Sequence, residues 1–437
     1  MPRQTTRRQF LKTTAATGIG YWVAAGVRAQ ESKSPGEKIA MASVGIGGKG
    51  SSDSRDAGNA GQMVAICDTD TQRLEGAGNR FKEAKKFTDF REMLDRMGDK
   101  IDAVTVSTPD HTHAPAALKA MRMGKHCFCQ KPMTRCIYEA RLMADVAREK
   151  KLATQMGNQG TASNGLREGA AIIRSGKLGE LKELHAWTNR PIWPQGIPRP
   201  EPSDPPESLK WDQWLSVAPK RPYADGYHPF KWRGWWDFGT GALGDMACHT
   251  MNLLFMACDL RNPISVQAET SGHNKDSFPA WSIITYEFPA TDKQPALKMT
   301  WYDGGKLPDK KLIGGRNPDK CGSLAIGSNG TLLANSNGSK IEVLGMEKPQ
   351  VEYTKSPGHF TEWVNAIRGG PPAVSNFPDY AGPLTELVLL GNLAVWPADK
   401  GKGPKVEWNA KEMKVKNIKG MKKLIKPKYP AGYTLDT

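Results

Sequence analysis

The chain has 437 residues, enough for two domains, and 38% of them are hydrophobic, which excludes a protein that is disordered throughout. Its formal net charge is +16, which indicates either a solvated basic face or a face that binds an acidic surface. No nucleic-acid-binding motif accompanies this charge. We therefore expect no nucleic-acid partner, and seven cysteines without zinc-ligand spacing predict neither a metal site nor a disulfide framework.

The first 29 residues have the features of an export signal. Arg7 and Arg8 precede Phe-Leu-Lys and resemble the twin-arginine motif, and a weakly apolar run from Thr13 to Val27 follows. Small residues end at Ala29, where we expect cleavage, so residues 1–29 would form a twin-arginine signal peptide. The alternative is an ordinary secretory signal with two accidental arginines. Either signal predicts a periplasmic or otherwise exported protein, with no membrane span after cleavage.

A glycine-rich turn follows the first strand-like segment, residues 38–44. Gly45, Gly47 and Gly50 fit the pattern G-x-G-x-x-G, and Ile46 stands between the first two. One glycine permits a tight turn, one lets a pyrophosphate approach the backbone, and one lets a helix pack against a strand. The phosphates then meet free N–H groups at a helix N-terminus. The pattern predicts a dinucleotide site, and we assign Gly45, Ile46, Gly47 and Gly50 to cofactor binding.

The next strand-like segment, residues 62–67, predicts which dinucleotide binds. It ends at Asp68, 18 residues after Gly50. An acid at that point accepts hydrogen bonds from the ribose hydroxyls and repels a 2′-phosphate, so we expect NAD rather than NADP. Lys49 and Arg73 are nearby cations that keep NADP open as the alternative.

Strands and helices go on alternating up to residue 156, which predicts a parallel, doubly wound sheet. Predicted strands cover residues 101–107, 125–129 and 153–156, and predicted helices cover residues 114–123 and 135–150. Ligands of such sheets bind beyond the carboxyl ends of the strands. The polar residues that follow those strands are Thr108, Pro109, His113 and Lys131.

These motifs, in this order, resemble the Gfo/Idh/MocA oxidoreductase family, which includes glucose–fructose oxidoreductase and inositol dehydrogenase. The Thr-Pro-x-x-x-His segment runs from Thr108 to His113, and the family tripeptide Glu-Lys-Pro is represented by Gln130-Lys131-Pro132. A glycine-rich turn leads into Asp-x-x-x-His, with Asp245 and His249 on one helical face. The resemblance places Thr108, Pro109, His113, Gln130 and Lys131 near the cofactor. Gln130 removes the family's carboxylate from beside the lysine.

The resemblance also implies a domain organisation. Residues 36–160 would form the NAD(P)-binding Rossmann domain, and residues 161–437 a substrate-binding α+β domain with a large, mostly antiparallel sheet that often mediates oligomerisation. Strand-like segments agree with this at residues 184–187, 264–269, 281–288, 297–302, 323–326, 331–334 and 340–344. Helices are expected at residues 164–175, 245–258, 359–368 and 380–395. The closing stretch from Pro430 resembles the family's terminal segment, which packs back on that sheet.

Oxidation of a secondary alcohol needs a base for the hydroxyl proton and a nicotinamide within hydride reach of the carbon. His249 has a suitable intrinsic pKa for the base, and Lys131 is the alternative or shares the task. Asp245, by resemblance, points at the substrate together with His249. We also assign Asn158 to the substrate, because amides after the last Rossmann strand can bind sugar hydroxyls, and Gln159 is its neighbour.

A proline-rich, aromatic segment spans residues 188–227 and reads as a long ordered loop. Tryptophans crowd there and just beyond it, and we assign Trp236 to substrate stacking, because aromatic faces pack on the C–H faces of pyranose rings. The alternative is that the aromatic residues only anchor the loop.

Three functions are open from the sequence. The first is oxidation of a sugar, glycoside or cyclic polyol with tightly bound NAD. The second is a redox-neutral, NAD-dependent glycosidase acting through a transient keto-sugar, which needs an extra base near His249 from His228, Tyr223 or Tyr227. The third is a non-catalytic sugar-binding protein, for which the only argument is Gln130.

Overall fold

The computed structural model describes residues 38–292, 295–430, 432, 433 and 435. The predicted signal peptide lies outside those residues, so export stays a prediction. In the part of the chain that is described, no helix combines the length and the apolar character needed to cross a bilayer.

The first domain is built on a six-stranded sheet. Its strands pair in the order β3-β2-β1-β4-β5-β6, and every pairing is parallel, so the predicted doubly wound sheet is confirmed. Helices connect the strands on both faces. The elements are β1 (Ala40–Val44), α1 (Lys49–Ala60), β2 (Gln62–Cys67), α2 (Thr71–Gly78), β3 (Lys85–Phe87), α3 (Phe90–Met97), β4 (Ala103–Val106), α4 (Asp110–Arg122), β5 (His126–Cys129), α5 (Ile137–Glu149) and β6 (Thr154–Met156).

Helix α4 begins four residues earlier than the sequence predicts. Pro109 occupies the cap position, and Asp110 lies in the first turn, where a carboxylate interacts favourably with the helix dipole. As a consequence, His111 and His113 are helical and fully buried between the two domains.

The second domain is built on a nine-stranded sheet in the order β13-β12-β11-β7-β10-β9-β8-β14-β15. Only the β7–β10 pairing is parallel, which confirms the predicted, mostly antiparallel sheet. The sequence did not predict the last two strands, which are short. The strands are β7 (Leu181–Trp187), β8 (Ser265–Thr270), β9 (Ser282–Phe288), β10 (Leu297–Tyr302), β11 (Gly322–Gly327), β12 (Thr331–Asn335), β13 (Ile341–Leu344), β14 (Val406–Asn409) and β15 (Lys414–Val415).

Helices cover one face of this sheet and join it to the first domain. The helix predicted at residues 245–258 begins earlier, at Gly241, and is interrupted at Met251, which separates α8 from α9. A π-helical turn, Phe377–Ala381, leads into the long, buried α11. The helices are α6 (Asn164–Arg174), α7 (Trp211–Leu215), α8 (Gly241–Thr250), α9 (Asn252–Cys258), α10 (His359–Ile367), α11 (Gly382–Val395) and α12 (Lys422–Ile425).

The chain returns to the Rossmann sheet after β13. In α10, Trp363 is fully buried against Phe128 of β5, and its Nε1 donates to the Ala153 carbonyl oxygen at 3.0 Å. The sequence predicts one boundary between the two domains, after residue 160. Helix α10 lies beyond that boundary but packs in the core of the first domain, so the first domain also includes this later segment.

Tyr433 and Leu435 also lie on the Rossmann domain rather than on the second sheet, which corrects the expectation from the resemblance. The Arg91 guanidinium lies 4.6 Å from the centre of the Tyr433 ring, and Arg122 donates to the Leu435 carbonyl oxygen. Leu435 is 4% exposed, so its burial fixes the segment in place.

Candidate active site

The turn between β1 and α1 requires glycine at two of the predicted positions. Gly45 has a φ of +77°, and a Cβ there would lie 2.7 Å from the Ser107 carbonyl oxygen. A Cβ on Gly50 would overlap the Gly45 carbonyl oxygen, so helix α1 can approach β1 only without a side chain. At Gly47, a Cβ would meet the movable side chain of Arg73.

The same turn leaves donors free for phosphate. The N–H groups of Gly47 and Gly48 have no hydrogen-bond acceptor among the described residues, and Gly48 is the cap of the 12-residue helix α1. A helix N-terminus with free N–H groups is a site for anions. The residues present therefore fit the pyrophosphate of a dinucleotide.

Asp68 lies at the end of β2, beside this turn. Its Oδ2 accepts from Ile46 N–H at 2.9 Å, and its Oδ1 accepts from Asp70 N–H at 3.0 Å. Burial raises the pKa of Asp68, while these two donors and Arg73 act in the opposite direction. The carboxylate thus fixes the glycine turn and retains lone pairs for the ribose hydroxyls.

A cavity of about 620 Å³ runs from the glycine turn to Lys131 and His249. It lies at the carboxyl ends of the Rossmann strands, as the sequence predicts. Thr108, Pro109, His113 and Gln130 also line it.

The aromatic loop between β7 and α8 covers this cavity. Lys210 N–H donates to the Thr69 carbonyl oxygen and Thr71 N–H donates to the Ser208 carbonyl oxygen, both at 2.9 Å. The ring nitrogens of His111 lie 3.1 Å from the Phe238 carbonyl oxygen and 2.9 Å from that of Trp214. The loop is therefore attached to the Rossmann domain by backbone groups on both sides of the cavity.

Most of the loop's aromatic rings pack on one another, which favours the anchoring interpretation. Trp236 was predicted to stack on substrate, but it lies outside the main cavity. Its ring stacks on Phe278 at 3.8 Å and meets Trp396 edge-on at 5.1 Å, in a second cavity of about 390 Å³. The loop aromatics that do line the main cavity are Trp214, Phe230 and Trp232.

Lys131 and Asp245 form an ion pair at one end of the main cavity. Lys131 Nζ lies 2.8 Å from Asp245 Oδ1 and 2.7 Å from the Asp245 carbonyl oxygen. Arg233 Nε also donates to Asp245 Oδ1, at 3.0 Å. Burial raises the pKa of Asp245, but Lys131 and Arg233 outweigh burial and hold that pKa well below its usual range. Asp245 therefore stays ionised and fixes both cations.

His249 lies one turn after Asp245 on α8 and lines the cavity. Burial, and then the charge of Lys131, lower its pKa to about 3. Neither ring nitrogen makes a hydrogen bond to a described residue. A neutral imidazole with a free nitrogen is a proton acceptor.

His113 has a different environment. Its Nδ1 lies 2.8 Å from the Pro132 carbonyl oxygen and its Nε2 lies 2.8 Å from the Thr108 carbonyl oxygen. Because both nitrogens face backbone, this side chain holds the Thr108-Pro109 turn against the Lys131-Pro132 turn. It positions cavity residues and leaves no nitrogen free for the cofactor.

Gln130 is held by a carboxylate that the sequence did not point to. Its Nε2 donates to Asp53 Oδ2 at 2.8 Å, and Ser107 Oγ donates to the same oxygen at 2.7 Å. Asp53 lies on α1, is 2% exposed, and pairs through its other oxygen with Lys49. A carboxylate of the glycine-turn helix therefore holds Gln130, while its ion pair is with Lys49 and not with Lys131. The only signal in the sequence was an acid one turn into α1.

Asn158, predicted to contact substrate, is fully buried and does not line the main cavity. Its Oδ1 accepts from Ser375 Oγ at 2.6 Å, and its Nδ2 has no partner among the described residues. Gln159, its neighbour, lines the cavity instead.

Of the candidate extra bases, His228 lines the same cavity as His249, and Tyr223 and Tyr227 do not line it. His228 Nε2 lies 3.4 Å from Asp70 Oδ2, near the ribose end, while Tyr223 and Tyr227 pack in the aromatic cluster of the loop. Within the described ranges, no group of three or more His, Cys, Asp or Glu side chains could hold a metal ion, and all seven cysteines are unpaired.

Comparison with known proteins identifies the class of protein that this fold and site define. The family model "Oxidoreductase family, NAD-binding Rossmann fold" matches residues 39–158, and "Oxidoreductase family, C-terminal alpha/beta domain" matches residues 183–295. Together these two models of one family cover more than half of the 437 residues. The chain belongs to the Gfo/Idh/MocA family of oxidoreductases, and its first domain is that family's NAD-binding domain.

Individual relatives are distant. A levoglucosan dehydrogenase of Pseudarthrobacter phenanthrenivorans is 24% identical over 188 residues, and a glycosyl hydrolase family 109 protein of Shewanella baltica is 35% identical over 130 residues. The matches cover 43% and 28% of this chain, but the chain spans only 40% and 28% of the lengths of those two proteins.

A solved structure extends the likeness over both domains. The WlbA dehydrogenase of Bordetella pertussis, in complex with NADH and UDP-GlcNAcA, has a TM-score of 0.60 at 18% identity, over 85% of this chain and 99% of that one. The fold class, the family and NAD as the cofactor are thereby confirmed as predicted.

Proposed function

We propose that the chain oxidises a secondary hydroxyl group of a sugar, glycoside or cyclic polyol, using a tightly bound NAD. The observation that carries this proposal is His249. It is a neutral imidazole that makes no hydrogen bond to any described residue, and it lines the same cavity as the glycine turn and Lys131, which pairs with Asp245.

The chemistry follows from these residues. NAD, when bound, supplies the acceptor for the hydride. His249 accepts the hydroxyl proton at a ring nitrogen that no described residue binds and that faces the cavity. Lys131, whose ammonium is fixed by Asp245, donates a hydrogen bond to the reacting oxygen and stabilises negative charge that develops there. Asp245 stays ionised throughout and positions Lys131.

The covering loop supports the proposal of a tightly bound cofactor. Backbone hydrogen bonds attach it at Thr69 and Thr71 beside the ribose site, and at Phe238 near the opposite end. A dinucleotide in this cavity leaves only if these contacts open, and cofactor retention during folded export is consistent with that arrangement. Export through the twin-arginine route, to the periplasm, is part of this proposal.

Redox-neutral glycoside cleavage is the second candidate, favoured by the likeness to glycosyl hydrolase family 109 proteins. That reaction needs a further base for the proton on the carbon next to the keto group. His228 lines the same cavity but faces Asp70 near the ribose end, and Tyr223 and Tyr227 pack in the aromatic cluster of the loop, which supports net oxidation. The non-catalytic alternative rests on Gln130 alone, and the presence of Lys131, paired with Asp245, and of His249 in one cavity supports an enzyme instead.

A homo-oligomer formed through the open face of the second sheet is also proposed. On that face Lys298 of β10 lies between Glu287 of β9 and Glu183 of β7, so charges of opposite sign alternate across the three strands. Light scattering on the purified chain measures the oligomeric state, and a monomer at micromolar concentration contradicts the proposal.

The test of the proposed function is the purified, full chain without added nucleotide. Denaturation should release close to one NAD(H) for each chain, identified by mass spectrometry. A panel of sugars and glycosides then reports NADH formation or glycoside cleavage. A chain that holds no nucleotide, and binds none when it is added, refutes both redox functions.

A further inference from the structure

The end of the cavity that holds the proposed catalytic residues carries an excess of positive charge. Lys131 and Arg233 lie 2.8 Å and 3.0 Å from Asp245 Oδ1, and Arg190 Nε lies 3.7 Å from Asp245 Oδ2. Three cations therefore share one carboxylate. The side chains of the three cations are 12% to 27% exposed, so water compensates them only in part.

The other titratable groups nearby do not remove this excess. Asp110 is the next acid, and its Oδ2 accepts from Thr240 Oγ1 at 2.6 Å. Burial raises the pKa of Asp110, and even a fully ionised Asp110 leaves these three cations with one uncompensated charge. His249 is neutral above about pH 4, because burial lowers its pKa to about 3. The oxidised nicotinamide ring, being cationic, adds to the excess.

Arg233 presents unused donors to the cavity. Its Nε is taken by Asp245, its guanidinium lies 4.2 Å from the centre of the Trp232 ring, and the side chain lines the cavity. Its two terminal nitrogens make no hydrogen bond to any described residue. A guanidinium held by its Nε and by an aromatic face, with both terminal nitrogens free, is the geometry that binds a carboxylate through two hydrogen bonds.

We propose that the substrate is an anionic sugar, a uronate or a related carboxylate-bearing ring, whose carboxylate binds the terminal nitrogens of Arg233. This inference rests on the proposed function and names the substrate class of the same site. The dinucleotide phosphates do not fill the role, because the free N–H groups of Gly47 and Gly48 already provide their site. A substrate carboxylate neutralises the excess charge and, held at Arg233, fixes the ring relative to His249.

The test compares matched acid and neutral substrates with the full, NAD-loaded chain. Methyl β-D-glucuronide is paired with methyl β-D-glucoside, and methyl α-D-galacturonide with the corresponding galactoside. A charge-assisted, two-point hydrogen bond predicts a kcat/KM higher by about 10- to 150-fold for the acid of the pair. Arg233→Gln should remove most of that preference, chiefly through KM, while Arg233→Lys keeps part of it. Arg316→Gln, at an exposed ion pair with Glu342, is the matched control and leaves the preference unchanged.

Calorimetric binding of the same pairs to the NAD-loaded chain gives a readout independent of turnover. Tighter binding of the acids, abolished by Arg233→Gln, supports the inference even where turnover is slow. Equal or tighter binding of the neutral glycosides, or an unchanged preference in Arg233→Gln, overturns it and leaves the oxidoreductase proposal standing. If the chain binds the acids selectively but oxidises none of the sugars tested and cleaves no glycoside, the proposed function fails, and only the binding of a sugar carboxylate by Arg233 is upheld.

Discussion

Replacing Gln130 by glutamate restores the family tripeptide, and we predict that it destabilises this chain. The Gln130 amide nitrogen lies 2.8 Å from Asp53 Oδ2, so the variant sets two buried carboxylates at that distance. At an effective dielectric constant of about 20, two unit charges so close repel by about 6 kcal/mol. Proton uptake by the pair and the positive charge of Lys49 relieve part of this repulsion. We expect the pKa of the pair to rise by about 2 units, which lowers the free energy of unfolding by about 3 kcal/mol.

The loss depends on pH with a definite sign. In the folded variant the pKa of the introduced carboxyl is raised above its unfolded value of about 4.3, so the destabilisation is absent below about pH 4. It grows as the pH rises through the folded value and is complete at about pH 8. Urea unfolding at several pH values measures it, with a loss of about 1 kcal/mol expected at pH 5 and about 3 kcal/mol at pH 8.

Two further variants separate this mechanism from general disturbance. Gln62→Glu makes the same change at an exposed position and serves as the control. The double variant Asp53→Asn with Gln130→Glu exchanges acid and amide across the same contact, and we expect it to recover most of the lost stability. A loss that does not change between pH 5 and pH 8, or a double variant no better than Gln130→Glu, refutes the reasoning.

Three other predictions address the cofactor and the base. Gly50→Ala should abolish NAD binding in equilibrium dialysis, because a Cβ at this position overlaps the Gly45 carbonyl oxygen. Gly76→Ala is the control and should leave binding intact, because a Cβ at Gly76 meets no atom within 4 Å. Equal NAD binding by the two variants contradicts the assignment of Gly50 to the cofactor site. His249→Ala should lower kcat by about 10²- to 10⁴-fold without weakening NAD binding. Since the pKa of His249 is lowered to about 3, the imidazole is deprotonated throughout pH 5 to 8, and kcat/KM should show no decrease in that range from protonation of His249. A decrease in kcat/KM at pH 6 to 7 that is present in the wild type and absent in His249→Ala contradicts this pKa. Tyr433 lines the cavity, and its ring packs against the Arg91 guanidinium. Tyr433→Ala should raise the NAD dissociation constant by about 5- to 10-fold, and Tyr433→Phe, which keeps the ring, is the control. An unchanged dissociation constant in Tyr433→Ala means that Tyr433 does not contact the dinucleotide.

The sequence determined the features that depend on neighbours along the chain. The spacing of Gly45, Gly47 and Gly50 predicted the turn, because the steric demands of that turn involve residues within one strand–helix unit. The alternation of strands and helices predicted the parallel sheet for the same reason, since each unit buries its own apolar face. The family resemblance put Asp245 and His249 on one helix, and helical periodicity placed them on the same face of it.

Only the tertiary structure decided which distant side chains meet. Trp236 and Asn158 are near motif residues in the sequence, yet neither lines the main cavity, because Trp236 packs on Phe278 and Asn158 accepts a hydrogen bond from Ser375. Asp53 beside Gln130 and Arg233 beside Asp245 came from positions that no recognised motif includes. Contacts between separate elements are selected by packing and by compensation of buried charge over the whole molecule, and no local pattern of residues encodes them.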